Sequence, residues 1–145
     1  MSEVTACLVI PAPPEQVWEL IMDPERLKDW VTIHRRLRSA DKGPPREGFA
    51  MDQEICLRGV DFRVRWNLAE CRRSALAIWE GRGPARSKAH TEYRLSAQGD
   101  GTRFDYQNSF RAPLGPLGAM ASRALVGGVP QREANRSLER LRSLF

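Results

Sequence analysis

The chain opens with a strict alternation of apolar and polar positions. Val4, Ala6, Leu8 and Ile10 share one face of an extended segment, which predicts a half-buried β-strand. The proline-rich segment 11–14 ends this strand. Its last proline suits the first turn of a helix, because the missing N–H has no intrahelical partner there anyway.

Two short helices are predicted next. Val17, Trp18 and Ile21 lie at helical spacing, and a proline at position 24 then interrupts the pattern. Asp23 precedes this proline and is a suitable cap for a second short helix, which runs through Trp30.

Period-two alternation then dominates from about residue 33 to residue 113. Short segments rich in glycine, proline and charged residues interrupt it, and the clearest is the hairpin turn at 99–101. Successive strands joined by short turns indicate an antiparallel meander rather than parallel βαβ units. Helical spacing returns over 117–125 and 138–145, and the glycines and proline of 127–130 predict a kink between them.

These elements predict an α+β fold in which a curved sheet of seven antiparallel strands and two short helices surround a long C-terminal helix. The chain has 145 residues, of which 41% are hydrophobic and 28% charged, and this composition fits one globular domain over 1–145. No apolar run reaches the roughly 20 residues of a membrane span, and the N-terminus lacks the pattern of a signal peptide. We therefore expect a cytoplasmic protein without an integral membrane segment.

Charge and cysteine content narrow the function classes further. The net charge is +5, and arginine supplies 20 of the 23 basic residues. The arginines are scattered along the chain, which is typical of a solvated face, so we expect no nucleic-acid partner. The three cysteines are odd in number and lack CxxC spacing, and with His34 and His90 they form no metal-ligand pattern. No metal, nucleotide or other cofactor is expected, since Walker, Rossmann and zinc-protease motifs are missing from the sequence.

Four segments resemble the START/Bet v1-like (SRPBCC) superfamily, in particular its polyketide cyclase/dehydrase-like group. They are the strand, proline turn and helix of 9–18, the second helix of 23–30, the Gly-Asp-Gly-Thr-Arg hairpin of 99–103, and the Phe-Arg-Ala-Pro-Leu-Gly segment of 110–115. The resemblance covers nearly the whole chain and implies a helix-grip fold that encloses an apolar cavity. The superfamily includes lipid carriers, hormone receptors, aromatase/cyclases and chaperone activators, and the fold does not decide among them.

The side chains predicted to line this cavity come from the inward-facing positions of the strands and from the helices. Each could equally be ordinary core, but polar members of the set are informative because burying them unpaired is costly. The predicted lining residues are Trp30, Met51, Gln53, Ile55, Phe62, Val64, Trp66, Leu68, Ile78, Glu80, Thr91, Tyr93, Tyr106, Asn108, Met120 and Ala124.

Three residues are candidates for acid/base chemistry. Glu80 lies between apolar neighbours, and enclosure would raise the pKa of its carboxyl group. His34 follows the second helix near the expected cavity mouth, and Tyr106 offers a phenol to the cavity. The alternative interpretations are that Glu80 pairs with an arginine near a strand end and that His34 satisfies a local hydrogen bond.

The sequence supports three functions of different classes. We interpret the chain first as a binding or carrier protein for a small lipid-like or aromatic molecule. The alternatives are a cofactor-free polyketide cyclase, aromatase or dehydratase, and a protein-interaction module of the chaperone-activator type. No unambiguous acid/base pair supports the enzymatic alternative.

Overall fold

All seven predicted strands belong to one antiparallel sheet in the computed structural model, which describes residues 2–111 and 128–145. The sheet order is β1-β7-β6-β5-β4-β3-β2, so the chain runs as a meander from β2 to β7 while β1 joins at the far edge. The strands are β1 (Ser2–Ile10), β2 (His34–Ala40), β3 (Ala50–Leu57), β4 (Val60–Arg72), β5 (Leu76–Arg82), β6 (Lys88–Gln98) and β7 (Gly101–Arg111).

Within the described ranges, three α-helices pack against this sheet. They are α1 (Pro14–Ile21), α2 (Leu27–Trp30) and α3 (Gln131–Arg142), and two short 3₁₀ turns occupy Pro24–Arg26 and Pro84–Arg86. The predicted helical positions at 117–125 lie outside the described residues. In the described parts of the chain, no helix combines the length and the apolar character that crossing a membrane requires.

The local signals in the sequence explain where the first helices begin. Pro14 is the first residue of α1, and Asp23 caps the 3₁₀ turn before α2 by accepting a hydrogen bond from the Glu25 amide at 3.0 Å. The apolar stripe of α1 is buried, as its helical spacing predicts. Of the two short helices, α1 packs against β6 and β7, and α2 packs against β2.

The sheet curves because its pairing is interrupted at one edge and in the middle. The register between β2 and β3 shifts twice, and the register between β4 and β5 shifts between Leu68 and Glu70. Such irregularities bend a strand and increase its local twist. The predicted curved seven-stranded antiparallel sheet with a C-terminal helix is confirmed.

Polar contacts fix α3 across the concave face. The Thr32 amide donates to Ser137 Oγ at 3.0 Å, and Thr32 Oγ1 donates to the Glu133 carbonyl at 3.2 Å. At the start of the helix, Gln131 Nε2 donates to the Thr5 carbonyl at 2.7 Å. The helix is thus held by the α2–β2 connection on one side and by β1 on the other.

The buried apolar residues of 2–111 and 128–145 form two clusters on the concave side of the sheet. The larger cluster joins the buried faces of α1, α2 and α3 to the sheet, and Trp30 lies inside it with edge-on ring contacts to Tyr93 and Phe104. The smaller cluster consists of Ile55, Leu57, Phe62, Val64, Ala89 and Phe110.

The fold makes a direct prediction for α3. Leu138→Ala removes a side chain that is 1% exposed, and we expect a loss of about 2–5 kcal/mol in the free energy of unfolding because a cavity is left behind. Leu144→Ala is the matched control: its side chain is 40% exposed, and the expected change is within about 0.5 kcal/mol. Urea denaturation measures both, and equal effects would contradict the described seating of the helix.

Candidate functional site

An apolar cavity of about 80 Å³ lies on the concave face of the sheet, next to α2 and α3. Strands β3 to β7 form its floor, and the loop between β5 and β6 reaches its rim. Every described residue that lines it is uncharged. A concave, mostly apolar site with a few polar groups is the usual form of a small-molecule site.

The structure places most of the sequence-predicted lining residues at this cavity. Met120 and Ala124 lie outside the described residues. Leu68 is fully buried in the larger core cluster and does not reach the cavity wall. The predicted residues that line the cavity are Trp30, Met51, Gln53, Ile55, Phe62, Val64, Trp66, Thr91, Tyr93, Tyr106 and Asn108.

The predicted inward orientation of Ile78 and Glu80 is corrected by the structure. In β5 it is Trp79 that faces the cavity, paired with Leu68 across the sheet and only 4% exposed. The register shift after Leu68 adds one residue to β4, and a slip of one residue moves every side chain to the opposite face. Ile78 and Glu80 therefore point to the outer face of the sheet.

Several lining residues were missed, for different reasons. Leu57 and Phe110 are not among these, because alternation already places both on the inward face of β3 and β7. The residues of the β5–β6 loop and those after α2 have no periodic pattern, and only the fold brings them to the wall. The additional lining residues are Leu27, Val31, Ile33, Trp79, Gly83, Pro84, Ser87, Ala89, Val129 and Ser137.

A neutral polar pair lies on the cavity floor. Asn108 Nδ2 donates to Thr91 Oγ1 at 2.8 Å, and the two residues are directly opposite each other in β7 and β6. Next to them, the rings of Tyr93 and Tyr106 stack with their centroids 6.1 Å apart. Burial raises the pKa of both phenols well above the usual range, so both are neutral at physiological pH.

Trp66, Gln53 and His34 form a hydrogen-bonded relay that leads from the cavity wall to the start of β2. Trp66 Nε1 can only donate, and it lies 2.8 Å from Gln53 Oε1. The Gln53 amide nitrogen therefore faces His34 Nδ1, which is 2.8 Å away and must accept. This relay requires a neutral His34 that carries its proton on Nε2.

The backbone of Gly81 packs against the Trp66 indole. A Cβ atom at Gly81 would lie 2.8 Å from Trp66 Cε3 and Cζ3 and from Val64 Cγ1. The ring thus packs directly on the glycine backbone, and a larger residue there would push the indole out of place. One face of the cavity wall is fixed by a glycine on one side and the relay on the other.

The three candidates for acid/base chemistry do not meet at the cavity. Glu80 lies on the outer face, where its carboxylate is hydrogen-bonded to His90 Nδ1 at 2.5 Å. His34 is separated from the cavity by Gln53, and burial lowers the pKa of its imidazole. Tyr106 alone reaches the cavity.

His90 has the opposite electrostatic surroundings to His34. Burial by itself lowers the pKa of His90, but hydrogen bonds to Glu92 and Glu80 outweigh burial and raise it. One interpretation of the sequence paired Glu80 with an arginine. In the structure, Glu80 is instead hydrogen-bonded to this imidazole. The two histidines therefore act on stability in opposite directions as the pH changes.

The seven-stranded sheet, the C-terminal helix and the apolar cavity define a helix-grip protein of the START/Bet v1-like class. A family model described as polyketide cyclase/dehydrase and lipid transport matches residues 1–145. The chain belongs to this family. That description supports a ligand-binding protein of the SRPBCC type.

Individual relatives are more distant. A Mycobacterium tuberculosis H37Rv protein named toxin Rv0910 is 24% identical over 137 residues, which covers 93% of this chain and 95% of the relative. The structure of DR_A0006 from Deinococcus radiodurans matches with a TM-score of 0.72 and 15% identity, over 99% of this chain and 95% of that one. The structure of Ara h 8.0201 matches with a TM-score of 0.64 and 11% identity, over 98% of this chain and 95% of that one. At these identities the solved structures show the fold alone.

The relay makes a prediction about pH. Because the folded state lowers the pKa of His34, its contribution to stability is present above the unfolded value of about 6.5 and is lost as the pH falls through the folded value. Protonation would place two N–H groups face to face between His34 and Gln53. We expect the Trp66 indole N–H resonance to shift as the pH falls from about 7 to about 5.

The measurement requires a His90→Gln background. The chain has two histidines, so in this background His34 is the one whose titration the resonance can report. A Trp66→Phe variant assigns the resonance. A shift of equal size in His34→Gln/His90→Gln would show that the relay is not its cause.

Proposed function

We propose that this protein binds a small, neutral, mostly apolar molecule in the cavity and acts as a carrier or binding protein. The observation that carries the proposal is the composition of the wall: aromatic and aliphatic side chains with a few uncharged polar groups. Burying apolar ligand surface against such a wall supplies the main favourable term in binding.

The absence of charge among the described lining residues favours a neutral ligand. An ionised carboxylate or amine transferred into the cavity would meet no described side chain of opposite charge, and its desolvation would go uncompensated. The raised pKa values of Tyr93 and Tyr106 have the same physical origin, since the site disfavours the charged form of any group. Gln53, Thr91 and Asn108 offer hydrogen bonds to neutral oxygen or nitrogen atoms instead.

The size of the cavity restricts how a ligand enters. Its volume of about 80 Å³ is below the roughly 300–1,000 Å³ typical of sites for drug-sized molecules. A larger ligand must therefore displace wall side chains. Met51 is half-buried and unbranched, and it is the lining residue best suited to move.

Two residues of the cavity wall have buried polar atoms that are free to form a hydrogen bond with a ligand. Trp30 Nε1 and Ser87 Oγ are buried and have no hydrogen-bond partner in the described chain. Leaving such a group unpaired costs about 1–3 kcal/mol. A ligand oxygen that reaches either atom as the wall opens would remove this cost, which favours an oxygen-bearing molecule over a pure hydrocarbon.

The geometry supports binding over cyclisation or dehydration. The family description includes cyclases and dehydrases, but acid/base chemistry needs groups within hydrogen-bond reach of the substrate. Of Glu80, His34 and Tyr106, only the neutral Tyr106 phenol faces the cavity. An interaction module with a collapsed interior is less well supported, because free space remains inside the fold.

Native mass spectrometry of the purified protein tests the proposal, followed by organic extraction and identification of anything bound. A stoichiometric neutral lipophile is the expected result. If the native spectrum is that of the bare chain, a panel of neutral lipophiles is added, and ligands that prefer the native state must raise the unfolding temperature. A bare spectrum and no stabilisation by the panel together contradict the proposal.

A cavity-filling variant localises the ligand. Ala89→Leu adds three carbons to a buried residue of the wall, and we expect at least about tenfold weaker binding of the identified lipophile, equivalent to about 1.4 kcal/mol. Ala97→Leu is the matched control on the same strand, because Ala97 is exposed and lies away from the cavity. Titration by tryptophan fluorescence measures both, and unchanged binding in Ala89→Leu would place the ligand elsewhere.

The preference for neutral ligands is tested with a matched pair. We expect methyl naphthoate to bind at least about tenfold more tightly than naphthoate at neutral pH, since only the ester avoids burying an unpaired charge. Isothermal titration calorimetry measures both affinities. Tighter binding of the acid would reveal a cation at the site and contradict the neutral assignment.

A further inference from the structure

Four basic side chains stand side by side across the outer face of the sheet. They are Arg65 in β4, Arg82 in β5, Lys88 in β6 and Arg111 in β7, and we call them the basic row. The register places each directly opposite the next, Arg65 with Arg82, Arg82 with Lys88, and Lys88 with Arg111. All four are exposed. With strands about 4.8 Å apart, the row is about 14 Å long.

The row is not neutralised by the protein itself. Arg65 lies 3.9 Å from Asp52, but that carboxylate is engaged by Arg63. The other three members form no ion pair with any residue of 2–111 or 128–145, and the sequence of 112–127 contains no acidic residue.

The neighbouring row of residues on the same face provides little negative charge to offset the basic row. It consists of Asn67, Glu80, His90 and Ser109, and its one carboxylate is hydrogen-bonded to the imidazole of His90. Like charges directly opposite each other destabilise a sheet. The arrangement thus costs the fold stability, which an external anion would offset.

The centre of the basic row adjoins the rim of the cavity. Its two central members, Arg82 and Lys88, stand immediately before and after the loop 83–87. This loop closes on itself through a hydrogen bond from the Gly83 amide to the Ser87 carbonyl at 3.0 Å. The loop residues that line the cavity are Gly83, Pro84 and Ser87.

The tip of this loop contains another basic residue, Arg86, and its backbone is strained. Ala85 and Arg86 are both exposed and have φ values of 51° and 67°, which are left-handed conformations that non-glycine residues rarely adopt. Strained backbone of this kind concentrates at sites that bind or move. Arg86 lies in the loop that joins Arg82 to Lys88, so it adds a fifth cation next to the basic row.

We propose that the basic row and Arg86 dock the protein on an anionic phospholipid surface, with the rim of the cavity next to the lipid. The headgroup phosphates supply the negative charge that the row lacks. The choice of a lipid surface rests on the proposed hydrophobic ligand, which partitions into lipid. A single-stranded nucleic acid fits less well, because its bases need aromatic platforms and no row position carries one.

The docking is electrostatic and peripheral. The large hydrophobic side chains that are exposed in the described chain, Val9 and Leu144, lie outside the row and the 83–87 loop, so the described residues of this surface offer no apolar anchor. Binding should therefore depend strongly on salt. Raising the salt concentration from about 0.01 M to about 1 M shortens the screening length from about 30 Å to about 3 Å and should abolish it.

Co-sedimentation with vesicles tests the proposal. At low salt, the protein without added ligand should bind vesicles of equal parts phosphatidylcholine and phosphatidylglycerol, and should not bind pure phosphatidylcholine. The double variant Arg82→Gln/Lys88→Gln should bind about 30-fold more weakly. The control Arg140→Gln/Arg142→Gln removes the same charge from exposed positions of α3 and should lose less than about threefold.

A thermal unfolding measurement separates loss of docking from loss of folding. Because the row is repulsive, Arg82→Gln/Lys88→Gln should unfold at a higher temperature than the wild type at low salt, and the difference should shrink as salt is added. Weaker vesicle binding together with higher thermal stability is the expected signature.

Two results would overturn the proposal. One is vesicle binding that is absent in the wild type or equal in the row variant and the α3 control. The other is row-dependent binding to duplex DNA or RNA by a protein that ignores anionic vesicles. Since the vesicles are tested without a cavity ligand, either result leaves the native mass spectrometry of the cavity to be judged separately.

Discussion

The pairing register of the antiparallel sheet is the constraint on which both faces of this protein depend. Strands β6 and β7 pair without interruption from Lys88 with Arg111 to Gln98 with Gly101. Because side chains alternate strictly along a strand, this register decides at once which residues meet the apolar cavity and which meet the outside. A single shift between Leu68 and Glu70 is enough to exchange the faces of β5 and to bring Trp79 rather than Glu80 to the cavity.

The cavity persists because its wall cannot close on itself. The Trp66 indole is held between the backbone of Gly81 and the Gln53 amide, and the amide is oriented in turn by a neutral His34. Each of these contacts is directional, so the large ring cannot rotate into the free space without losing a hydrogen bond. A wall of interchangeable aliphatic side chains would lack that restraint and would pack more densely.

Local patterns in the sequence were sufficient for the described elements of the fold but not for all of the site. Alternation predicted the strands and placed Met51, Val64 and Tyr106 on the concave side, because period two is a property of one strand alone. It failed for Ile78, where two neighbouring apolar residues compete for the interior and a bulge in the preceding strand decides between them. The relay between His34 and Trp66 joins three strands, and no spacing in the sequence encodes it.

The arrangement of basic residues on the outer face also depends on how the strands pair. Arg65, Arg82, Lys88 and Arg111 look scattered along the chain, and only the register brings them into one row. Their sequence neighbours on the other face are Trp66, Gly81, Ala89 and Phe110, which form or support the cavity wall. The basic row and the wall are therefore the two sides of one strip of four strands. An anion bound to the row would therefore lie directly across the sheet from the residues that shape the cavity.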